Sequence, residues 1–282
     1  MSAPRIDAHQ HFWQLARGDY GWLTPELALI VRDFTPDDLA PLLARHGIVG
    51  TILVQAAPTE AETRFLLDTA AQTPFVAGVV GWTDFDARDV AEAIAALAAD
   101  PLLVGLRPMV HDIADDGWLA RPELAPAFEA MIAQGLVFDA LLKPRHIPAA
   151  LSLLQRHPQL PVVIDHAAKP DLTNPDLAGW RDGISALAAH PQAFCKLSGL
   201  VTEAAPDWTL ETLRPAVDHL LASFGPDRLI FGSDWPVLTL RADYASWFDT
   251  ATALLCGCGD AEREAIFGGN AARLYLSRGR QP

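Results

Sequence analysis

Cysteine is scarce. Cys195, Cys256 and Cys258 are too few, and odd in number, to build a disulfide framework, so they read as reduced thiols. Long apolar runs are missing too. None approaches the roughly 20 residues that a membrane-crossing helix needs, and Met1-Ser2-Ala3-Pro4-Arg5 lacks the apolar stretch of a secretion signal. The expectation is a cytoplasmic protein with no membrane partner. Basic charge is in deficit: 21 Lys and Arg against 35 Asp and Glu leave a net charge of −14. Such a surface repels phosphate backbones, which excludes a nucleic-acid partner. Finally, no glycine-rich phosphate turn follows the first apolar stretch. His9-Gln10-His11-Phe12 stands there instead, which argues against an open doubly wound dinucleotide fold.

What is present is alternation. Short apolar or β-branched runs occur at 5–12, 50–56, 75–82, 103–108, 136–142, 161–167, 193–199 and 228–234, with helical patterns between them. Thr35-Pro36-Asp37-Asp38 supplies an N-cap, a proline at the first helical position and acidic residues in the first turn, and Gly47 closes that helix. Thr59-Glu60-Ala61-Glu62 reads as a capping box. Further helices are predicted over 89–99, 122–134, 147–157, 176–190, 210–224, 244–255 and 261–276. Eight strands alternating with helices predict an α/β fold, a single (β/α)8 TIM barrel. No Ser/Gly linker, repeat or low-complexity segment divides the chain, so residues 1–282 are expected to form one domain.

In such barrels chemistry gathers at the carboxyl ends of the strands. Period-two alternation puts Asp7, His9 and His11 on one side of the first strand. The later strand ends bring Gln55; Trp82 with Asp84; Arg107; Asp139; Asp165 and His166; Lys196 and Ser198; and Ser233-Asp234-Trp235. His9, His11, His166 and Asp234 are the candidate catalytic residues. Arg107, Gln55, Trp82, Lys196, Ser198 and Trp235 are the candidate substrate contacts. Lys196 needs a partner, which Asp234 or the substrate would supply. Asp165 faces away from His166 and suits a buried hydrogen-bonding role as well as catalysis. His111 and His146 follow strands on the mouth side. His46, His157 and His190 sit at helix ends, where an imidazole suits the dipole, and His219 lies within a helix.

Ile6-Asp-Ala-His-Gln-His-Phe-Trp13, Val163-Ile-Asp-His-Ala-Ala-Lys-Pro170, Cys195-Lys-Leu-Ser-Gly-Leu200, Phe231-Gly-Ser-Asp-Trp-Pro-Val237 and Asn270-Ala-Ala-Arg-Leu-Tyr275 together resemble the amidohydrolase-2 type branch of the amidohydrolase superfamily. Within it they resemble the lactonase group, which includes L-fuconolactone, L-rhamnonolactone and 2-pyrone-4,6-dicarboxylate hydrolases. The resemblance spans the chain and implies hydrolysis of a cyclic ester. Metal-dependent members of that superfamily usually hold zinc with the first-strand His-x-His, a fifth-strand histidine and the eighth-strand aspartate. Here the fifth strand, Val137-Phe-Asp-Ala-Leu-Leu-Lys143, has no histidine. His9, His11 and Asp234 remain as ligands if a metal is bound. Since some similar lactonases work without one, the sequence expectation is no cofactor, with a single divalent zinc as the alternative.

On that expectation Asp234 is the general base, and His9, His11 and His166 polarise the lactone carbonyl. The partner is a small-molecule lactone, and the chain is expected to be a monomer or a small homo-oligomer. Arg107 as the lone strand-end arginine favours a neutral sugar-acid ring over a dicarboxylate. Two rival readings are a metal-dependent decarboxylase or other cyclic-ester hydrolase of the same superfamily, and a non-catalytic sugar-binding barrel.

Overall fold

The apolar runs fold as strands because both of their faces find cover: helices outside, and facing strands across the barrel axis. In the computed structural model, which describes residues 3–277, the strands are β1 (Arg5–Gln10), β2 (Ile48–Val54), β3 (Val76–Gly81), β4 (Leu103–Leu106), β5 (Val137–Ala140), β6 (Val162–Ile164), β7 (Ala193–Leu197) and β8 (Leu229–Phe231). They pair in parallel in the order β1 to β8. Asp234 N donates to His9 O at 2.8 Å and His11 N donates to Trp235 O at 2.8 Å, which joins the last strand end to the first. The result is a (β/α)8 barrel, and its closure places Asp234 directly beside the His-x-His pair.

The helices are α1 (Pro36–His46), α2 (Glu60–Ala71), α3 (Val90–Leu97), α4 (Ala125–Ala133), α5 (Ile147–Arg156), α6 (Ala178–Ala188), α7 (Leu210–Phe224), α8 (Tyr244–Leu254), α9 (Asp260–Glu264) and α10 (Asn270–Tyr275). The start of α1 is as the sequence predicts: Thr35 and Asp38 cap each other, and Thr35 N donates to Asp38 Oδ2 at 2.8 Å. The box expected at α2 is only half formed. Thr59 Oγ1 accepts from Glu62 N at 3.0 Å, but the Glu62 carboxylate turns inward and accepts from Ala56 N and Ala57 N, at the end of β2. Those two buried amides have no strand partner there, so the carboxylate serves them rather than its own helix.

The helix predicted over 261–276 is interrupted. A π-turn over Ala265–Gly269 separates α9 from α10, because Gly268 lies against the Pro4 carbonyl, where a Cβ would stand 1.9 Å from its oxygen. Asn270 Nδ2 then donates to Pro226 O and Leu229 O, fixing α10 beneath β8. From there Ala271 and Tyr275 join Ile6, Ala8, Ile52, Val54, Val80, Val104, Val163 and Ile230 inside the barrel. Among the described residues no helix is long and apolar enough to cross a membrane.

Candidate active site and metal centre

Strand β1 departs from simple alternation. Its pairing with β2 slips between Asp7 and Gln10, and this bulge re-aims the side chains that follow it. Asp7 therefore does not share the face of the histidines. It turns outward, where Oδ1 accepts from Ser233 N at 2.8 Å and Oδ2 accepts from Tyr244 OH of α8 at 2.9 Å. Burial pushes its carboxyl up to about 6. His9 and His11 turn inward. Asp7 thus ties β8 to β1 under the site.

Four predicted residues converge at the mouth. Asp234 Oδ1 lies 3.3 Å from His11 Nε2, 3.6 Å from His9 Nε2 and 3.8 Å from His166 Nε2. Burial alone would raise the Asp234 carboxyl, but His166 and His11 outweigh it and hold it below the usual range. His166 begins a stretch, His166–Lys169, in which four successive non-glycine residues have φ between 50 and 56°. Asp234 also sits at φ 59°. Left-handed backbone costs a non-glycine residue about 1–2 kcal/mol, and such strain clusters at functional sites. Here it swings both His166 and Lys169 towards one cavity.

That cavity, about 170 Å³, is lined by His11, Arg107, His166, Lys169 and Asp234, with Trp22, Ala56, Met109, His111, Asp112, Leu141 and Val237 completing its wall. Gln55 is fully buried beside it. Its Nε2 donates to Arg107 O at 2.7 Å, and the Arg107 guanidinium donates back to Gln55 O, clamping the ends of β2 and β4 together. Ser198 lies behind His166, its Oγ 2.9 Å from Nδ1.

Lys196 lies below the cavity floor with no exposed surface. Its partners are Asp139 and, at 2.9 Å, Asp165 rather than Asp234. Burial pushes Asp139 up to about 6, whereas Lys196, His9 and Arg107 hold Asp165 well below its usual range despite burial. Trp235 packs edge-on against Phe12 and Phe34. Trp82 lines a separate pocket with Asp84, Phe85 and Trp118. His146 Nδ1 accepts from Lys143 N at the start of α5. Of the other lining residues, Lys169 stands in the Asp165–Pro170 motif, Val237 closes the Phe231–Val237 motif and Trp22 lies in a tryptophan-rich opening segment, while Met109 carries no sequence signal.

These burials give a pH signature. His9, His111, His146, His157, His166 and His190 are all lowered, burial being the largest cause in each. The unfolded chain gains their protons below about pH 6.5 and the native state does not, so this stability is present above 6.5 and lost as pH falls. Asp7, Glu62 and Asp139, raised by burial to about 6, 7 and 6, act in the opposite sense. Six groups against three leave the histidines dominant between pH 6.5 and 5. The melting temperature is expected to be lower at pH 5 than at pH 7. A higher value at pH 5 would reverse this assignment.

His9, His11 and Asp234 also form a ligand set. His11 Nδ1 lies 2.7 Å from the Val54 carbonyl, which can only accept, so Nε2 offers a lone pair. Zinc bound tetrahedrally at about 2.0–2.1 Å spaces its ligands about 3.3–3.4 Å apart. The three ligand atoms here are 3.2, 3.3 and 3.6 Å apart, so the residues fit a divalent cation.

Comparison with known proteins bears on both the family and the metal. The amidohydrolase family model matches residues 6–276. An L-fucono-1,5-lactonase of Burkholderia ambifaria is 50% identical, over 96% of this chain and 95% of that protein. One of Burkholderia multivorans is 39% identical, over 98% and 97%. The crystal structure of an amidohydrolase from Burkholderia multivorans with bound zinc superposes with a TM-score of 0.92 at 38% identity, covering 97% of this chain and 99% of that one. The sequence expectation of no cofactor is corrected by these findings. It rested on the missing fifth-strand histidine and on the resemblance to lactonases that work without metal, but bulged β1 and the β8 end bring the three remaining ligand atoms together, and a similar protein holds zinc. On its motifs, its fold and a family match over nearly its whole length, the chain belongs to the amidohydrolase family.

Proposed function

We propose that this hydrolase opens the ring of a sugar-acid lactone of the L-fucono-1,5 type to give the aldonic acid. The observation that carries the reading is the approach of the Asp234 carboxylate to three imidazoles at the cavity floor. The 50% identity to an L-fucono-1,5-lactonase over nearly the full length supports the substrate. A cavity of about 170 Å³ suits one small ring. Arg107 and Lys169 are its lining Lys and Arg residues, and Lys169 is already engaged by Glu203 at 2.5 Å. This favours a neutral hydroxylated ring over a dicarboxylate.

In the proposed reaction Asp234 takes a proton from water as its oxygen bonds to the lactone carbonyl carbon, and the carbonyl π pair moves onto oxygen. With the Ser198 hydroxyl donating to His166 Nδ1, the neutral His166 carries its proton on Nε2 and donates it towards that oxyanion. Arg107, clamped by Gln55, adds positive charge at the same wall. The C–O bond to the ring oxygen then breaks, Asp234 returns its proton to the leaving alkoxide, and the new carboxylic acid ionises. The divalent cation that His9, His11 and Asp234 would hold supplies Lewis-acid polarisation of the carbonyl.

Gly199 tests the placement of His166. It has φ 63°, and an added Cβ would stand 2.5 Å from His166 Nδ1. Gly199→Ala is expected to displace the ring and lower kcat about a hundredfold, since an error of about 1 Å in placement costs that much. An unchanged kcat would mean that the ring position is immaterial. The function itself is tested by a pH-indicator panel of aldonolactones beside aromatic carboxylates. Acid release from the lactones is expected; carbon dioxide release from the carboxylates alone would favour a decarboxylase instead.

A further inference from the structure

The floor of the site carries a cation that a zinc centre does not ordinarily have. A histidine that ligates a metal through Nε2 usually donates its Nδ1 proton to a carboxylate or carbonyl, which leaves the lone pair on the metal side. Behind His9 the nearer group is an ammonium. Lys196 Nζ lies 3.1 Å from His9 Nδ1, while the Asp165 oxygen is 3.5 Å away. An ammonium only donates. The hydrogen bond therefore places the lone pair of His9 on Nδ1 and its proton on Nε2.

Of the groups around the other nitrogen, His11 supports that assignment and Arg107 competes with it. His9 Nε2 is 3.2 Å from His11 Nε2, which accepts in the neutral ring because His11 Nδ1 donates to Val54 O. Arg107 Nη1 also lies 3.3 Å from His9 Nε2, but it has Asp165 Oδ2 as an alternative acceptor at 3.4 Å. Lys196 is itself held from below. Asp139 pairs with it and accepts from Tyr275 OH of α10 at 2.8 Å, and all of these groups are buried.

We propose that Lys196 is a positioning residue that locks His9 in its Nε2–H tautomer and so keeps the hold of the site on a divalent metal loose and exchangeable. The proposal rests on the reading of His9, His11 and Asp234 as the metal's ligands. For His9 to ligate, its proton must move to Nδ1, Asp165 must accept it, and the ammonium must turn onto its two carboxylates.

Two measurements test this. In chelator-treated wild-type protein labelled with 15N-histidine, long-range 1H–15N spectra, with His9 assigned from a His9→Gln variant, are expected to show the Nε2–H pattern. An Nδ1–H pattern would overturn the proposal. Zinc affinity is then read by competition with a chromophoric chelator in wild type, in Lys196→Met, and in the double variant Asp139→Asn with Lys196→Met, which removes one charge of each sign and protects folding. At least tenfold tighter zinc binding is expected in a folded variant, and equal or weaker binding would overturn the proposal. Absence of zinc binding in every protein would sink the ligand-set reading as well, whereas an altered tautomer alone leaves that reading standing.

Discussion

Asp234→Asn is expected to lose at least about a thousandfold in kcat while keeping its circular dichroism and melting profile. A positioned general base contributes roughly 10²–10⁴, and in the proposed reaction Asp234 both takes the proton from water and returns it to the ring oxygen. Asparagine has the same shape but cannot hold that proton. Its neighbours should tolerate the change, because Asp234 N still donates to His9 O and the barrel seam stays intact. The discriminating readout is steady-state turnover of an aldonolactone. A variant within tenfold of wild type would remove Asp234 as the base.

Asp139→Ala carries the largest expected stability loss. Asp139 is wholly buried, pairs with Lys196 and accepts from Tyr275 OH. Removing one member of a buried ion pair leaves the other uncompensated, at a cost of about 3–5 kcal/mol. Asp165 remains to offset part of the Lys196 charge, so the lower half of that range is expected. At about 2–4 °C per kcal/mol for a large domain, the melting temperature should fall by roughly 10 °C. Tyr275→Phe, which deletes only the hydroxyl, should cost about 1.5–3 kcal/mol, as for a hydrogen bond to a charged group. Equal melting temperatures for Asp139→Ala and wild type would mean that the pair stabilises nothing.

The barrel was legible because its strands are apolar on both faces and its helices carry caps. All eight strand runs appear, trimmed by a few residues where the backbone leaves the sheet for the mouth. His9, His11, His166 and Asp234 were legible as polar residues at strand ends that core packing does not explain. Two things were hidden. A bulge in β1 leaves no mark on period-two alternation, so Asp7 was grouped with the histidines although it faces α8. Long-range pairing is equally silent: nothing near Lys196 in sequence points to Asp139, 57 residues away, or links Asp139 to Tyr275, 136 residues away. The metal expectation failed for a different reason. The sequence already offers His9, His11 and Asp234 as ligands, and the resemblance to metal-free lactonases turned the choice against them, whereas the three ligand atoms converge and a similar protein holds zinc.

The most direct test is 13C NMR of C1-labelled L-fucono-1,5-lactone mixed with the purified chain. The account predicts that the lactone carbonyl signal gives way to a single carboxylate signal, far faster than in buffer and with no labelled bicarbonate. Decay of the lactone at the buffer rate would contradict it.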